Sequence, residues 1–233
     1  MISFIIPAHN EEALLGETLR SILAAAGEVG IPFEVFVVDD ASTDRTSEVA
    51  REHGARVVRV EHRQIAATRN AGAAASQGDW LVFVDADTVV NAEVLQGAVN
   101  ALQAGSVGGG ARISFDGDAP WLVARLVKLF DSSYFAFGFA AGCFVFCNRD
   151  AFFQAGGFDE SVYVSEEITL SRELRKLGRF AILPARVSTS ARKLRNHSLG
   201  EMARLLLRLV FRGQKSFQSR DGLDWWYGPR CDR

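Results

Sequence analysis

Two carboxylates one residue apart, Asp85 and Asp87, flank Ala86 directly after the apolar run Trp80–Val84. Hard oxygen donors at that spacing suit Mg²⁺ or Mn²⁺, the cations that neutralise a diphosphate and help it leave. Acidic pairs of this kind also occur in solvated loops, so the buried strand ahead of this one is what gives it weight. A second acidic step, Asp39-Asp40, closes another apolar run and is followed by Ala41-Ser42-Thr43-Asp44. Thr43 or Asp44 serves as a helix cap, yet a cap needs a single polar residue and here two carboxylates precede it. At a strand end such carboxylates can accept from a nucleobase N–H or a ribose hydroxyl. A third acidic step, Glu166-Glu167, opens a helical segment. On physical grounds alone it is an acidic first turn that complements the helix dipole.

The elements that must position these residues alternate regularly over the first half. Short continuous apolar runs at Ile2–Ile6, Phe33–Val38, Ala55–Val60 and Trp80–Val84 have the character of buried strands. Helical spacing follows each: Glu12–Ala26, stopping near Gly27; a segment capped at Ser42–Asp44 that runs to Glu52; Ile65–Ser76; and a helix from Asn91 to about Ala104. A β-α alternation with short apolar strands implies a parallel sheet with helices on both faces, which binds ligands outside the carboxyl ends of its strands. The clusters His9-Asn10-Glu11, Asp39-Asp40 and Asp85–Asp87 all fall at that edge. The second half is less regular. Strands are expected at Val107–Ser114, Phe144–Cys147, Phe180–Leu183 and Val187–Ser190, and helices at Trp121–Phe130, Asp150–Gln154, Glu166–Leu177 and Ser198–Arg212.

Bulk properties set the limits. The chain has 233 residues, 48% of them apolar, enough for one sizeable core. A formal net charge of −2 argues against electrostatic binding of nucleic acid. Three cysteines, Cys143, Cys147 and Cys231, form no disulfide framework and fit a reducing compartment, with Cys143 and Cys147 expected as buried thiols. The start, MISFIIPAHNEE, lacks the basic segment and the apolar length of a signal peptide. No run reaches the ~18–20 apolar residues of a spanning helix. These features predict a cytoplasmic protein, with peripheral membrane contact left open.

Six segments, in order, carry a family resemblance: FIIPAHNEE (4–12), VVDDASTD (37–44), ATRNAG (67–72), FVDADT (83–88), AGCFVFCNRDAFFQAGGFDE (141–160) and SEEITLSRELRKLGR (165–179). Together they resemble glycosyltransferase family 2. The resemblance implies a GT-A fold: an α/β domain whose Rossmann-like, mostly parallel sheet is flanked by helices, here with a C-terminal helical extension. It divides the chain into a domain at 1–195 and an amphipathic, aromatic and basic tail at 196–233. Pro7, Ala8 and Glu11 would then cradle base and ribose, with Asp40 and its neighbour Asp39 on the base. Arg69 would lie near the ribose or diphosphate. Asp85 would face the ribose and the metal, Asp87 would be the firmer ligand to Mg²⁺ or Mn²⁺, and Gly142 would border donor sugar and acceptor. The resemblance makes Glu167 the base that deprotonates the acceptor hydroxyl, with Glu166 beside it. This chain has Glu at 167 where Asp is commoner in the family, so the two glutamates are not ranked firmly.

The implied activity is metal-dependent transfer of a hexosyl-type sugar from a UDP- or GDP-linked donor to a hydroxyl acceptor, inverting at the anomeric carbon. Whether that acceptor is lipid-linked or small is open. A non-catalytic nucleotide-sugar binding protein and a nucleotidyltransferase are the alternatives, and PAHNEEAL is neither Gly-rich nor basic as a triphosphate loop would be. Some relatives draw a third metal ligand from a downstream histidine, which here would be His197 in Arg192-Lys193-Leu194-Arg195-Asn196-His197. The basic residues of that segment could instead stabilise the departing diphosphate. The Ser198–Arg212 helix, with Arg204, Arg208 and Arg212 on one stripe, either packs on the domain or lies on anionic lipid. Trp225-Trp226-Tyr227 is equally a packing anchor, a stacking platform or an interface belt.

Overall fold

The computed structural model describes residues 1–116 and 138–191. The expected helices at 121–130 and 198–212, together with His197, the basic segment 192–195, Cys231 and the 225–227 cluster, lie outside the described residues. So does the whole proposed tail.

One eight-stranded sheet organises the rest: β1 (Ile2–Ala8), β2 (Phe33–Asp40), β3 (Arg56–Val60), β4 (Trp80–Val84), β5 (Thr88–Val89), β6 (Gly108–Phe115), β7 (Phe144–Asn148) and β8 (Phe180–Thr189), in the order β3-β2-β1-β4-β7-β6-β8-β5. The first four strands are parallel, as the alternation predicts. β7 then enters antiparallel between β4 and β6, so the sheet is mixed beyond β4. Among the described residues six helices accompany it: α1 (Leu15–Val29), α2 (Thr46–Glu52), α3 (Ile65–Ala75), α4 (Ala92–Gln103), α5 (Arg149–Gln154) and α6 (Glu166–Leu177).

Alternation along the strands gives the sheet two buried faces. Phe4 and Ile6 of β1 join Val82 and Val84 of β4 under Leu15, Leu19 and Ile22 of α1 and Val94 and Leu95 of α4. Ile5, Leu81 and Phe83 point the other way, to Ala66 and Ala73 of α3, Phe152 of α5 and Leu170 and Leu174 of α6. Because side chains alternate with period two, helices are needed on both faces. Cys143 and Cys147 are buried thiols, and burial pushes the Cys147 thiol up out of the reactive range.

Several boundaries differ from expectation: α1 begins at Leu15 rather than Glu12, α2 begins at Thr46 with Arg45 rather than Thr43 or Asp44 at its N-cap, and three further differences have a local reason. α1 runs through Gly27 and stops at Gly30, whose φ of 70° is the left-handed cap conformation and whose N–H bonds Ala26 O at 3.0 Å. The two strands expected at 180–183 and 187–190 are one strand. Its register against β6 slips between Ala111 and Arg112, where Leu183 and Arg186 are the successive partners, so Pro184 and Ala185 form a bulge. Proline has no N–H to give to the ladder, and a bulge accommodates it without ending the strand. β5 is only two residues long and pairs with Ser188 and Thr189, which ties the segment after Asp87 to the far edge of the sheet.

α3 sits unusually close to the sheet. A Cβ on Gly72 would lie 2.4 Å from Ile5 Cγ2 and 2.7 Å from Val38 Cγ2. Gly72→Ala should therefore destabilise the protein by about 1–3 kcal/mol through overpacking, measurable as a lower urea midpoint with an unchanged m-value.

Candidate active site

The carboxyl ends of β1 and β2 lie side by side, Pro7 beside Val38 and Ala8 beside Asp39. The loops that leave them are latched by reciprocal hydrogen bonds. Asn10 N–H donates to Ser42 Oγ (3.0 Å), and Thr43 N–H donates to Asn10 Oδ1 (2.8 Å). Glu11 N–H donates to Thr46 Oγ1 (2.9 Å), Glu12 N–H to Asp44 Oδ2 (3.1 Å) and Arg45 N–H to Glu12 Oε2 (2.8 Å). Helix N-termini leave donors unpaired, and here each loop supplies acceptors to the other. His9 belongs to the same structure: its Nδ1–H donates to Asp40 O (2.8 Å), while Arg63 donates to Nε2 (2.7 Å).

Among the described residues four non-glycines have left-handed backbones: Asn10 (φ 52°), Ala41 (φ 55°), Arg63 (φ 52°) and Ser165 (φ 68°). All stand in loops around this edge, where such strain is commonly held. Alanine is poorly suited to that conformation, so Ala41→Gly should raise stability by about 0.5–1 kcal/mol, visible as a small rise in Tm.

Asp39 and Asp40 have heavy internal duties. Asp39 accepts from Ser42 N–H (3.0 Å) and from the Ser47 hydroxyl, and Arg59 Nε lies 3.6 Å away. Burial works to raise the Asp39 carboxyl, but the Ser42 and Ser47 bonds and the Arg59 charge outweigh it and hold it below its ordinary value. Asp40 accepts from the N–H groups of Arg63 (2.8 Å) and Gln64 (3.1 Å) and from the Thr68 hydroxyl (2.8 Å). It thereby closes the N-terminus of α3. Glu11 is also buried.

Across the sheet, four of the expected residues come together around a fifth. Arg69, on α3, is 1% exposed. Its Nη2 donates to Asp85 Oδ1 (2.7 Å) and to the carbonyl of Gly142 (2.8 Å); its Nη1 donates to Glu166 Oε1 (2.5 Å). The Phe158 ring lies 5.1 Å from Cζ. Burial alone would make this guanidinium less basic, but Asp85, Glu166 and Glu167 together hold it protonated. A Cβ on Gly142 would be 3.4 Å from Arg69 Nη2 and 3.7 Å from the Glu167 carboxyl. Asp85, Gly142, Glu166 and Glu167 therefore share one neighbourhood. The resemblance sets Arg69 near the ribose or diphosphate; the structure shows it beneath that neighbourhood, bonded to protein acceptors.

The two glutamates are differently placed. Glu166 is buried, and burial raises its carboxyl against the opposing pull of Arg69, with Asp85 pushing in the same direction as burial. Glu167 is half-buried. Asp87 is half-buried as well; its Oδ1 accepts from Thr189 Oγ1 (3.4 Å) and its backbone carbonyl from Ser190 N–H (3.1 Å). Asp85 is 22% exposed at its side chain. Among the described residues no three His, Cys, Asp or Glu side chains are grouped as metal ligands. The Asp85–Asp87 pair fits Mg²⁺ or Mn²⁺ nonetheless, because these ions keep waters and take phosphate oxygens beside one or two carboxylates.

Two positioning residues carry no signal of their own in the sequence. Asn70 accepts from Phe158 N–H (2.9 Å) and donates to Phe158 O (2.9 Å) and Glu160 (2.8 Å), while Gln64 donates to Val162 O (3.2 Å). Gly157, with φ 73°, lets this loop approach Asn70. The polar side of α3 thus grips the loop that leads into α6. Asn70 was within reach as part of ATRNAG, but nothing local names its partner 88 residues away.

The sequence profile of Glycosyl transferase family 2 matches residues 3–159. The chain belongs to glycosyl transferase family 2. Glu166 and Glu167 lie just past the matched residues. This member of glycosyl transferase family 2 is 42% identical over 95 residues to undecaprenyl-phosphate 4-deoxy-4-formamido-L-arabinose transferase of Pseudomonas aeruginosa, a match covering 37% of the chain and 28% of the relative. It is 40% identical over 99 residues to 4,4'-diaponeurosporenoate glycosyltransferase of Staphylococcus haemolyticus, covering 40% and 25%. The matched segments thus span about a quarter of these relatives. In fold it is similar to S. aureus TarS 1-349 in complex with UDP-GlcNAc, at TM-score 0.62 and 20% identity, covering 81% of this chain and 58% of that one. It is also similar to mannosyl-3-phosphoglycerate synthase of Rubrobacter xylanophilus, at TM-score 0.62 and 21% identity, covering 91% and 72%.

Proposed function

We propose that this family 2 glycosyltransferase moves a hexosyl-type sugar from a UDP- or GDP-linked donor to a hydroxyl acceptor, with a divalent cation, inverting the anomeric carbon. The observation that carries the reading is the convergence of Asp85, Gly142, Glu166 and Glu167 around Arg69, next to the latched ends of β1 and β2. The base and ribose would lie over Pro7, Ala8, Glu11, Asp39 and Asp40. Asp85 and Asp87 would hold Mg²⁺ or Mn²⁺, with His197 a third candidate ligand. When bound, the cation supplies charge neutralisation for the leaving diphosphate. Gly142, lacking a side chain, leaves room beside Glu167, whose carboxylate would take the acceptor's proton as its oxygen attacks C1. Structures of similar fold in complex with UDP-GlcNAc and with GDP-Man and Mn²⁺ support the donor class and the cation. The name of the P. aeruginosa relative supports an acceptor borne on a lipid. No helix among the described residues is long and apolar enough to cross a membrane; cytoplasmic placement with peripheral membrane contact is part of the proposal.

A thermal-shift panel of UDP, GDP, CDP and ATP, with and without Mn²⁺, tests it. A ligand at a hundred times its Kd stabilises by about 2.7 kcal/mol, which is about 5–10 °C in Tm for a domain of this size. One diphosphate should show that rise only with Mn²⁺, and Asp87→Ala should lose it. No rise with any nucleotide would remove the donor assignment. A metal-dependent rise without turnover would favour a non-catalytic binding protein.

A further inference from the structure

We propose that Arg69 and Glu166 form a positioning pair, in which Glu166 is a pin for α6 and exchanges no proton with the acceptor. The proposal rests on the reading of Glu167 as the base and adds a division of labour within the acidic step.

Arg69 is a single side chain on α3, in the nucleotide half of the sheet. Its three charged or polar contacts reach three other elements: the end of β4 through Asp85, the loop before β7 through Gly142 O, and the first turn of α6 through Glu166. The pieces of the site that come from distant parts of the sequence are therefore indexed to one guanidinium. A planar fork suits this task, because its donors point in set directions and hold two carboxylates at a defined separation. With Arg69 and Glu166 both buried, neither has a solvent alternative to the other. Glu166 is consequently turned inward, and its neighbour on the helix, Glu167, is left beside Gly142. The contact does for α6 what Asn70 and Gln64 do for the preceding loop. Ser165, at the N-cap of α6, has a left-handed backbone (φ 68°).

A pin and a base respond differently to glutamine. Glutamine keeps an oxygen that accepts from Arg69 Nη1, whereas it has no basicity to offer an acceptor hydroxyl. Rates of nucleoside diphosphate release from UDP-glucose, UDP-N-acetylglucosamine and GDP-mannose with Mn²⁺ should be measured on the full chain, with water and octyl glucoside as hydroxyl acceptors. Glu166→Gln should retain at least about a third of wild-type kcat. Glu166→Ala, which leaves Arg69 Nη1 buried and unpaired, should lose about thirtyfold or more in kcat with donor KM within about threefold of wild type. Glu166→Gln as inactive as Glu166→Ala would overturn the proposal, and so would full activity in Glu166→Ala. Full activity in Glu167→Gln would instead sink the base assignment and leave the comparison at 166 standing by itself. Urea midpoints for Arg69→Met, Glu166→Ala and the double variant examine the same contact without turnover. Strong non-additivity is expected, and additive effects would also overturn the pair.

Discussion

Glu167→Gln should abolish sugar transfer while leaving donor binding intact. Loss of a positioned general base lowers rates by about 10²–10⁴-fold, and glutamine at 167 keeps the size of the side chain while removing its basicity. The group lies beside Gly142 and contributes to holding Arg69 charged, so the substitution changes the acceptor's surroundings without touching the latched β1 and β2 loops. Nucleotide Kd, measured by calorimetry with UDP or GDP and Mn²⁺, should stay within about threefold, since a loss confined to kcat marks an interaction made only in the transition state. A Kd that rises in step with the loss of turnover would place Glu167 in donor binding instead.

Arg69→Met should be the most destabilising single change at the site. Breaking a buried ion pair by removing one partner costs about 3–5 kcal/mol, and here one guanidinium serves two carboxylates and a carbonyl. The loss should depend on pH, with a sign that follows from the burial of Glu166. Burial already raises that carboxyl against Arg69's pull, and without Arg69 it rises further, with Asp85 nearby adding to the effect. A native state that holds a proton the unfolded chain has released loses stability as pH rises. The variant should therefore lie nearest wild type in mildly acidic buffer and fall furthest behind above neutrality. Urea midpoints for both proteins across that range provide the check, and a constant difference would show that Glu166 does not titrate in response to Arg69.

The parallel half of the sheet was legible because its strands are unbroken apolar runs and each meets acidic or polar residues at its carboxyl end. β5 was not, since two residues carry no period. The runs at 180–183 and 187–190 read as two strands, whereas the slip against β6 absorbs Pro184 and Ala185 and makes them one. The sequence places the stop of α1 near Gly27, whereas the left-handed backbone that ends it stands three residues on, at Gly30. At the site, the positions of the carboxylates were legible and their duties were not. Asp40 owes its bonds to Arg63, Gln64 and Thr68, more than twenty residues away, and no local pattern announces a carboxylate that closes someone else's helix. The burial of Arg69 had a faint signal: it stands among Ala66, Ala67, Ala71, Gly72 and Ala73, a helix too small-sided to hold anything away from the sheet.

The reciprocal latch between the loops after β1 and β2 bears on how this part of the candidate site can be re-engineered. Because residues 10–12 and 42–46 satisfy one another's backbone, neither segment is an independent module. A loop grafted from another transferase into one position would arrive without its counterpart and leave donors on the opposite side unanswered. Residues 9–12 and 41–46 should be exchanged as a single two-part cassette, and libraries that vary one half at a time will mostly sample misfolded pockets.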